Sequence, residues 1–196
     1  MAKAKIVISG ASGLIGKKLV ARLSQSYDVY RLERTKSSDS KSIYWNWKTE
    51  EVESEKLESI HSLIHLAGEP IASGRWSEAK KQRILDSRVG GTSFLAKVIS
   101  KLKDKPKSFI SASAIGYYGE TGDHTATEIT PAGDGFLSEV CLAWENTSQA
   151  ASVAGIRVVN PRIGIVLSAE GGALAQMLPI FKFYLGGALG SGSQYM

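Results

Sequence analysis

Apolar residues follow two alternating rhythms along this chain. Lys5-Ile6-Val7-Ile8-Ser9 is a short, nearly continuous apolar run closed by Gly10, as expected of a strand buried on both faces. Immediately afterwards Ile15, Leu19, Val20 and Leu23 recur at the spacing of one helix face. Short runs at 29–32, 43–47, 63–67, 109–111 and 156–159 predict further strands, and helices are predicted over about 77–102 and 136–151. Leu95, Val98, Ile99 and Leu102 give the first of these helices its apolar face, and Gly90-Gly91 predicts an interruption within it. Strand and helix alternating from the start imply a doubly wound parallel sheet with helices on both faces. The stretch 171–185 is strongly apolar, and 186–196 is rich in glycine and serine, which predicts a loop.

The first strand runs straight into Gly10-Ala11-Ser12-Gly13-Leu14-Ile15-Gly16 and the first helix, so three glycines fall at i, i+3 and i+6. The first permits a tight turn, the second lets backbone approach a pyrophosphate, and the third lets helix and strand pack closely, with the helix N-terminus facing the anion. This is a Rossmann-type dinucleotide signature. The triphosphate-binding loop, by contrast, requires glycine at position 11 and Ser or Thr at 18, where the chain has Ala11 and Lys18. The end of the second strand reads Leu32-Glu33-Arg34. Glu33 suits the ribose 2′-hydroxyl of NAD and Arg34 the 2′-phosphate of NADP. Lys17, Lys18, Arg31 and Lys36 nearby tilt the balance toward NADP(H), with NAD(H) the alternative.

Composition adds exclusions. With 196 residues, 24 Lys and Arg against 19 Asp and Glu, and 20 Gly, the chain suits one globular domain. A single cysteine, Cys141, and three histidines exclude a disulfide scaffold and leave no Cys/His cluster of zinc spacing, so no metal site is expected. No apolar run reaches the roughly 18 residues of a membrane span and the N-terminus lacks signal-peptide organisation, which leads us to expect a cytoplasmic protein without membrane contact. Basic residues concentrate in 1–50, with 10 basic against 4 acidic, yet Tyr44-Trp45-Asn46-Trp47-Lys48 fits a half-buried strand better than a nucleic-acid stripe. The expected partner is a small-molecule substrate rather than nucleic acid, and a homodimer is left open.

Together with the glycine loop, Leu66-Ala67-Gly68-Glu69-Pro70-Ile71, Arg75-Trp76, Ser87-Arg88, Ser111-Ala112-Ser113-Ala114 with Gly116-Tyr117-Tyr118-Gly119, Trp144-Glu145, Pro161-Arg162-Ile163-Gly164-Ile165-Val166-Leu167 and Gly190-Ser191-Gly192 make the whole chain resemble the extended short-chain dehydrogenase/reductases. More narrowly, it resembles their epimerase-family branch formerly described as cell-division-inhibitor homologues. The resemblance implies NADP(H) contacts at Gly10, Ser12, Gly13, Leu14, Ile15, Gly16, Arg34, Leu66, Ala67, Gly68, Arg88 and Val166.

In the wider superfamily a Tyr, a Lys four residues later and an upstream Ser or Thr move the proton beside the nicotinamide. Anchored on Trp144-Glu145, the Tyr position falls on Leu137 and the Lys position on Cys141, while Ser113 matches the serine. Ser113 and Tyr117 are therefore the candidate catalytic residues, with Tyr118 behind Tyr117. Glu69 is either an acid or base near the cofactor or a turn former, and His65 reads as a structural histidine. The implied activity is that of an NADP(H)-dependent oxidoreductase or epimerase-like protein on a small nucleotide- or sugar-like substrate. A non-catalytic, redox-responsive dinucleotide binder is the alternative. Because relatives continue further, 1–170 is expected to form the dinucleotide-binding domain and 171–196 the start of a substrate-binding part. Leu174, Met177, Leu178, Ile180, Phe181, Phe183, Tyr184 and Leu185 are then expected to form an apolar surface, and the 196-residue chain to bind dinucleotide with little turnover.

Overall fold

The computed structural model describes residues 3–72, 74–187 and 192. Seven strands make the main sheet: β1 (Lys5–Ser9), β2 (Asp28–Glu33), β3 (Ser42–Asn46), β4 (Glu51–Val52), β5 (Ser62–His65), β6 (Ser108–Ser111) and β8 (Arg157–Val159). Their spatial order is β4-β3-β2-β1-β5-β6-β8. All neighbours are parallel except β3 and β4, where Trp45 faces Val52 in an antiparallel edge pair. The chain first builds outward from β1 through β2 and β3, then crosses to β5 on the other side of β1. The order thus reverses between β1 and β5, the place where open parallel sheets bind ligands. Two short parallel strands, β7 (Ser113–Ala114) and β9 (Arg162–Ile163), pair beyond β6 and β8.

Strand alternation separates two cores. Ile6, Ile8, Val29 and Ile64 face α1 (Leu14–Leu23) and meet Leu19, Val20 and Leu23. Val7, Leu63 and Phe109, all fully buried, face α2 (Glu78–Ser100) with its Leu95 and Ile99. α2 starts where Ser77 caps the amide of Lys80. It is unbroken across Gly90-Gly91, contrary to the interruption expected from sequence. A Cβ at Gly90 would collide with the Trp47 ring, whereas one at Gly91 would make only ordinary contact, 3.5 Å from His65 Nε2. Gly90 makes room for an indole; it does not end a helix.

Other boundaries shift for local reasons. The helix expected over 136–151 divides into α3 (Phe136–Thr147) and α4 (Gln149–Val153), because the Ser148 hydroxyl turns back to donate to the Glu145 carbonyl at 2.6 Å. β4, too short for a periodic signal, was not expected. Residues 66 and 67 leave the strand for an irregular segment that runs to 70. The apolar stretch after β9 forms α5 (Gly172–Lys182), none of whose residues is buried; Phe183, Tyr184 and Leu185 beyond it are exposed. The expected terminal loop falls, apart from Gly186, Gly187 and Gly192, outside the described residues.

Gly90→Ala should lower unfolding free energy by about 1–3 kcal/mol through overpacking against Trp47, whereas Gly91→Ala should be neutral or stabilise by up to about 1 kcal/mol through helix propensity. Urea denaturation of both variants checks the contrast.

Candidate functional site

At the carboxyl ends of β1, β2, β3 and β5 lies a cleft of about 610 Å³. The glycine loop forms its floor, with Gly10 at φ +70° and the Gly13 amide donating to the Gly10 carbonyl at 3.0 Å. A Cβ at Gly10 would sit 2.8 Å from the Leu66 carbonyl carbon, and one at Gly16 would collide with the Gly10 carbonyl. Helix α1 begins one residue past Gly13 with no side-chain cap and no acidic residue in its first turn, which leaves its dipole and free amides for an anion. The structure gathers Gly10, Ser12, Gly13, Arg34, Leu66, Ala67 and Gly68 around this cleft.

Arg34 is exposed and forms no hydrogen bond or ion pair among the described residues. Glu33 is engaged: its carboxylate accepts from Ser42 Oγ at 2.7 Å and from Arg31 Nε at 3.2 Å. Sequence reasoning missed Trp45, Trp47 and Lys48, which bring the end of β3 to the cleft, and Arg83, Asp86 and Ser87 from α2. The α2 residues share an i, i+3, i+4 face, a signal legible only once that helix is known to pass the switch point.

Glu69 anchors the segment after β5. Its amide donates to Ser87 Oγ at 3.0 Å, its carbonyl accepts from Arg88 at 3.1 Å, and its carboxylate meets buried Lys80 at 2.8 Å. The Lys80 hydrogen bond holds the Glu69 carboxyl below the usual range. This clamped carboxylate ties the segment after β5 to α2 at the edge of the cleft, whose lining includes Glu69. Arg88 is largely withdrawn from solvent, stacked 5.1 Å over the Trp144 ring and bonded to the Glu69 and Ile84 carbonyls, with burial lowering its pKa. It does not line the cleft. Val166 lies beside Leu14 and Ile15 in a shallow apolar hollow along α1.

A second cluster forms where β7 and β9 pair. Ser113 Oγ donates to Glu145 Oε1 at 2.6 Å, and Arg162 grips both Glu145 oxygens at 2.9 Å. The Glu145 hydrogen bonds raise the Arg162 pKa still further. The guanidinium carbon stacks 3.4 Å over the Tyr117 ring, and the hydroxyl that Arg162 contacts is that of Tyr118, at 2.9 Å. Leu137 and the Cys141 thiol, the latter with its pKa pushed up by burial, pack against Gly116. The positions of the absent Tyr and Lys are thus filled by an apolar side chain and a buried thiol. Among the described residues no cluster of metal-binding side chains occurs, and no helix is long and apolar enough to cross a membrane.

A parallel sheet whose order reverses beside a glycine-floored cleft defines the Rossmann-type class of the extended short-chain dehydrogenase/reductases. Within it, the chain belongs to the NAD dependent epimerase/dehydratase family, whose model matches residues 6–182. It is similar to the epimerase family protein Mb2239 of Mycobacterium bovis, 41% identical over 197 residues, covering 100% of this chain and 65% of that protein. Among solved structures it resembles human epimerase family protein SDR39U1 with NADPH, at 30% identity and TM-score 0.86, covering 98% of this chain and 64% of that one. It also resembles a nucleoside-diphosphate sugar epimerase from Corynebacterium glutamicum, at 34% identity and TM-score 0.85, covering 100% and 40%. The chain therefore spans less than two thirds of the length of these relatives.

Arg162→Met should destabilise by about 3 kcal/mol, because it strands a mostly buried carboxylate. The double variant with Glu145→Met should lose less than the sum of the single losses, and a denaturation double-mutant cycle measures the difference.

Proposed function

We propose that this chain binds NADP(H) in the glycine-floored cleft and acts as an oxidoreductase or epimerase-like protein on a small nucleotide- or sugar-like substrate. The observation that carries the reading is the cradle itself: an uncapped helix N-terminus above glycine backbone, at positions where no Cβ fits. NADP(H) is favoured over NAD(H) because the Glu33 carboxylate is already held by Ser42 and Arg31, while Arg34 stands free at the rim. The substrate class is carried over from the family and from the sugar epimerase that the fold resembles. Residues 1–170 are assigned to dinucleotide binding and 171–196 to the beginning of a substrate-binding part.

When bound, the nicotinamide supplies or accepts a hydride. The Ser113 hydroxyl hydrogen is committed to Glu145, so toward a ligand its oxygen acts as an acceptor and orients a hydroxyl or amide hydrogen. Tyr117, beneath the Arg162 guanidinium, completes the proposed catalytic group. Leu137 and Cys141 in place of the usual pair favour the second reading, a redox-responsive dinucleotide binder without turnover. Loss of NADPH absorbance across a panel of sugar nucleotides would decide for the enzyme; binding with no turnover on any of them would decide for the regulator.

Arg34→Ala should weaken NADPH roughly ten- to a hundredfold, the equivalent of about 1.5–3 kcal/mol for a charge-assisted contact, and leave NADH nearly unchanged. Fluorescence titration with both dinucleotides checks this, and equal loss for both would return the specificity role to Glu33. On any substrate found active, Ser113→Ala and Tyr117→Phe should lower kcat at least tenfold while NADPH affinity holds; steady-state kinetics beside NADPH titration reads both.

A further inference from the structure

His65 is wholly buried, yet among the described residues its ring makes a single hydrogen bond. Its Nδ1 lies 2.6 Å from Ser9 Oγ, while its Nε2 has no hydrogen-bond partner among the described residues. Trp45 meets the ring edge-on at 5.7 Å and Phe109 stacks at 6.5 Å, so the ring plane is fixed. A phenylalanine or leucine would fill such a site without leaving a polar atom stranded. What the imidazole adds is its contact with Ser9.

The direction of that contact follows from the other neighbours of Ser9. The Leu66 amide is shared between Ser9 Oγ and the Ser9 carbonyl, each at 3.2 Å, and the Ala67 amide donates to Ser9 Oγ at 3.4 Å. Amide hydrogens can only be accepted, so they occupy the lone pairs of the oxygen and the hydroxyl hydrogen is left for Nδ1. This geometry calls for a neutral His65 with its proton on Nε2, and burial, which lowers its pKa to about 3, favours the neutral form as well. Ser9 precedes Gly10, and the backbone of Leu66 and Ala67 is what a Cβ at Gly10 would strike. The hydroxyl thus sits at the seam between the phosphate loop and the segment 66–68, two walls of the cleft.

We propose that His65 is a positioning residue for the dinucleotide: by accepting the Ser9 hydroxyl hydrogen it turns the Ser9 oxygen onto the Leu66 and Ala67 amides and sets the gap between these two walls. The proposal rests on reading the cleft as a dinucleotide site. An imidazole with a proton on Nδ1 would reverse the chain, point the Ser9 hydrogen toward two amide donors and push the segment off Gly10.

The test has two arms on the 196-residue chain. Histidine ¹⁵N NMR of the protein without dinucleotide should show His65 as the Nε2–H tautomer at pH 7 and still neutral at pH 5; the Nδ1–H tautomer or an imidazolium overturns the proposal. NADPH titration should show His65→Phe and Ser9→Ala binding about tenfold more weakly than wild type. His65→Asn, whose amide oxygen can replace Nδ1 as acceptor, should stay within about threefold. Circular dichroism melts run in parallel, and Ser9→Ala serves where His65→Phe does not fold. If His65→Phe or Ser9→Ala melts lower yet binds NADPH like wild type, His65 is only a core residue and the proposal fails. If wild type binds neither NADPH nor NADH, the dinucleotide reading fails and the positioning role falls with it.

Discussion

Backbone touching backbone at Gly10 is the constraint on which the rest of the structure depends. The first glycine lies against the segment 66–68 on one side and under the start of α1 at Gly16 on the other, so one residue joins the two halves of the sheet where their winding reverses. No side chain fits at either contact. Space is consequently left at the switch point, floored by main-chain atoms of the glycine loop and rimmed by polar side chains such as Arg34, Lys48 and Asp86. Ser9 and His65 underneath and Glu69 above tie the same segment from both directions.

That arrangement was legible in the sequence as far as it is local. Glycine spacing after a buried strand announces the loop, and the unbroken apolar run Ile6-Val7-Ile8 announces a strand covered on both faces, which the two cores bear out. What escaped depends on distant partners. Gly90-Gly91 looks like a break in any one-dimensional reading, because the residue that requires Gly90 is Trp47, more than forty positions upstream. The division at Ser148 rests on one hydroxyl choosing a carbonyl, and β4 is too short to have a period. In the candidate site the loop and Arg34 could be named from pattern, and Leu66, Ala67 and Gly68 from the family resemblance. The contributions of Trp47 and Asp86 could not, since they depend on how β3 and α2 are placed across the switch.

The two charged centres differ in what surrounds them. Glu145 and Arg162 are mostly shielded and satisfy one another with two matched contacts, joining α3 to β9 and holding both tyrosines of the 115–118 turn. Such a pair contributes more to fixing geometry than to net stability, since desolvation of both ions offsets much of their attraction. Arg34 has no such partner and keeps its hydration until something else replaces it. The contrast separates charges that shape the fold from charges free to meet a ligand.

α5 stands apart in a further way. It has no buried residue, and its approach is joined to α1 through contact of Gly171 and Gly172 with Leu14 and an exposed Lys18–Glu170 ion pair. Exposed pairs of this kind contribute little. Opening α5 would leave both cores untouched, so its amides are expected to exchange with solvent through local fluctuation, while those of β1, β5 and β6 are expected to wait for the whole sheet to come apart.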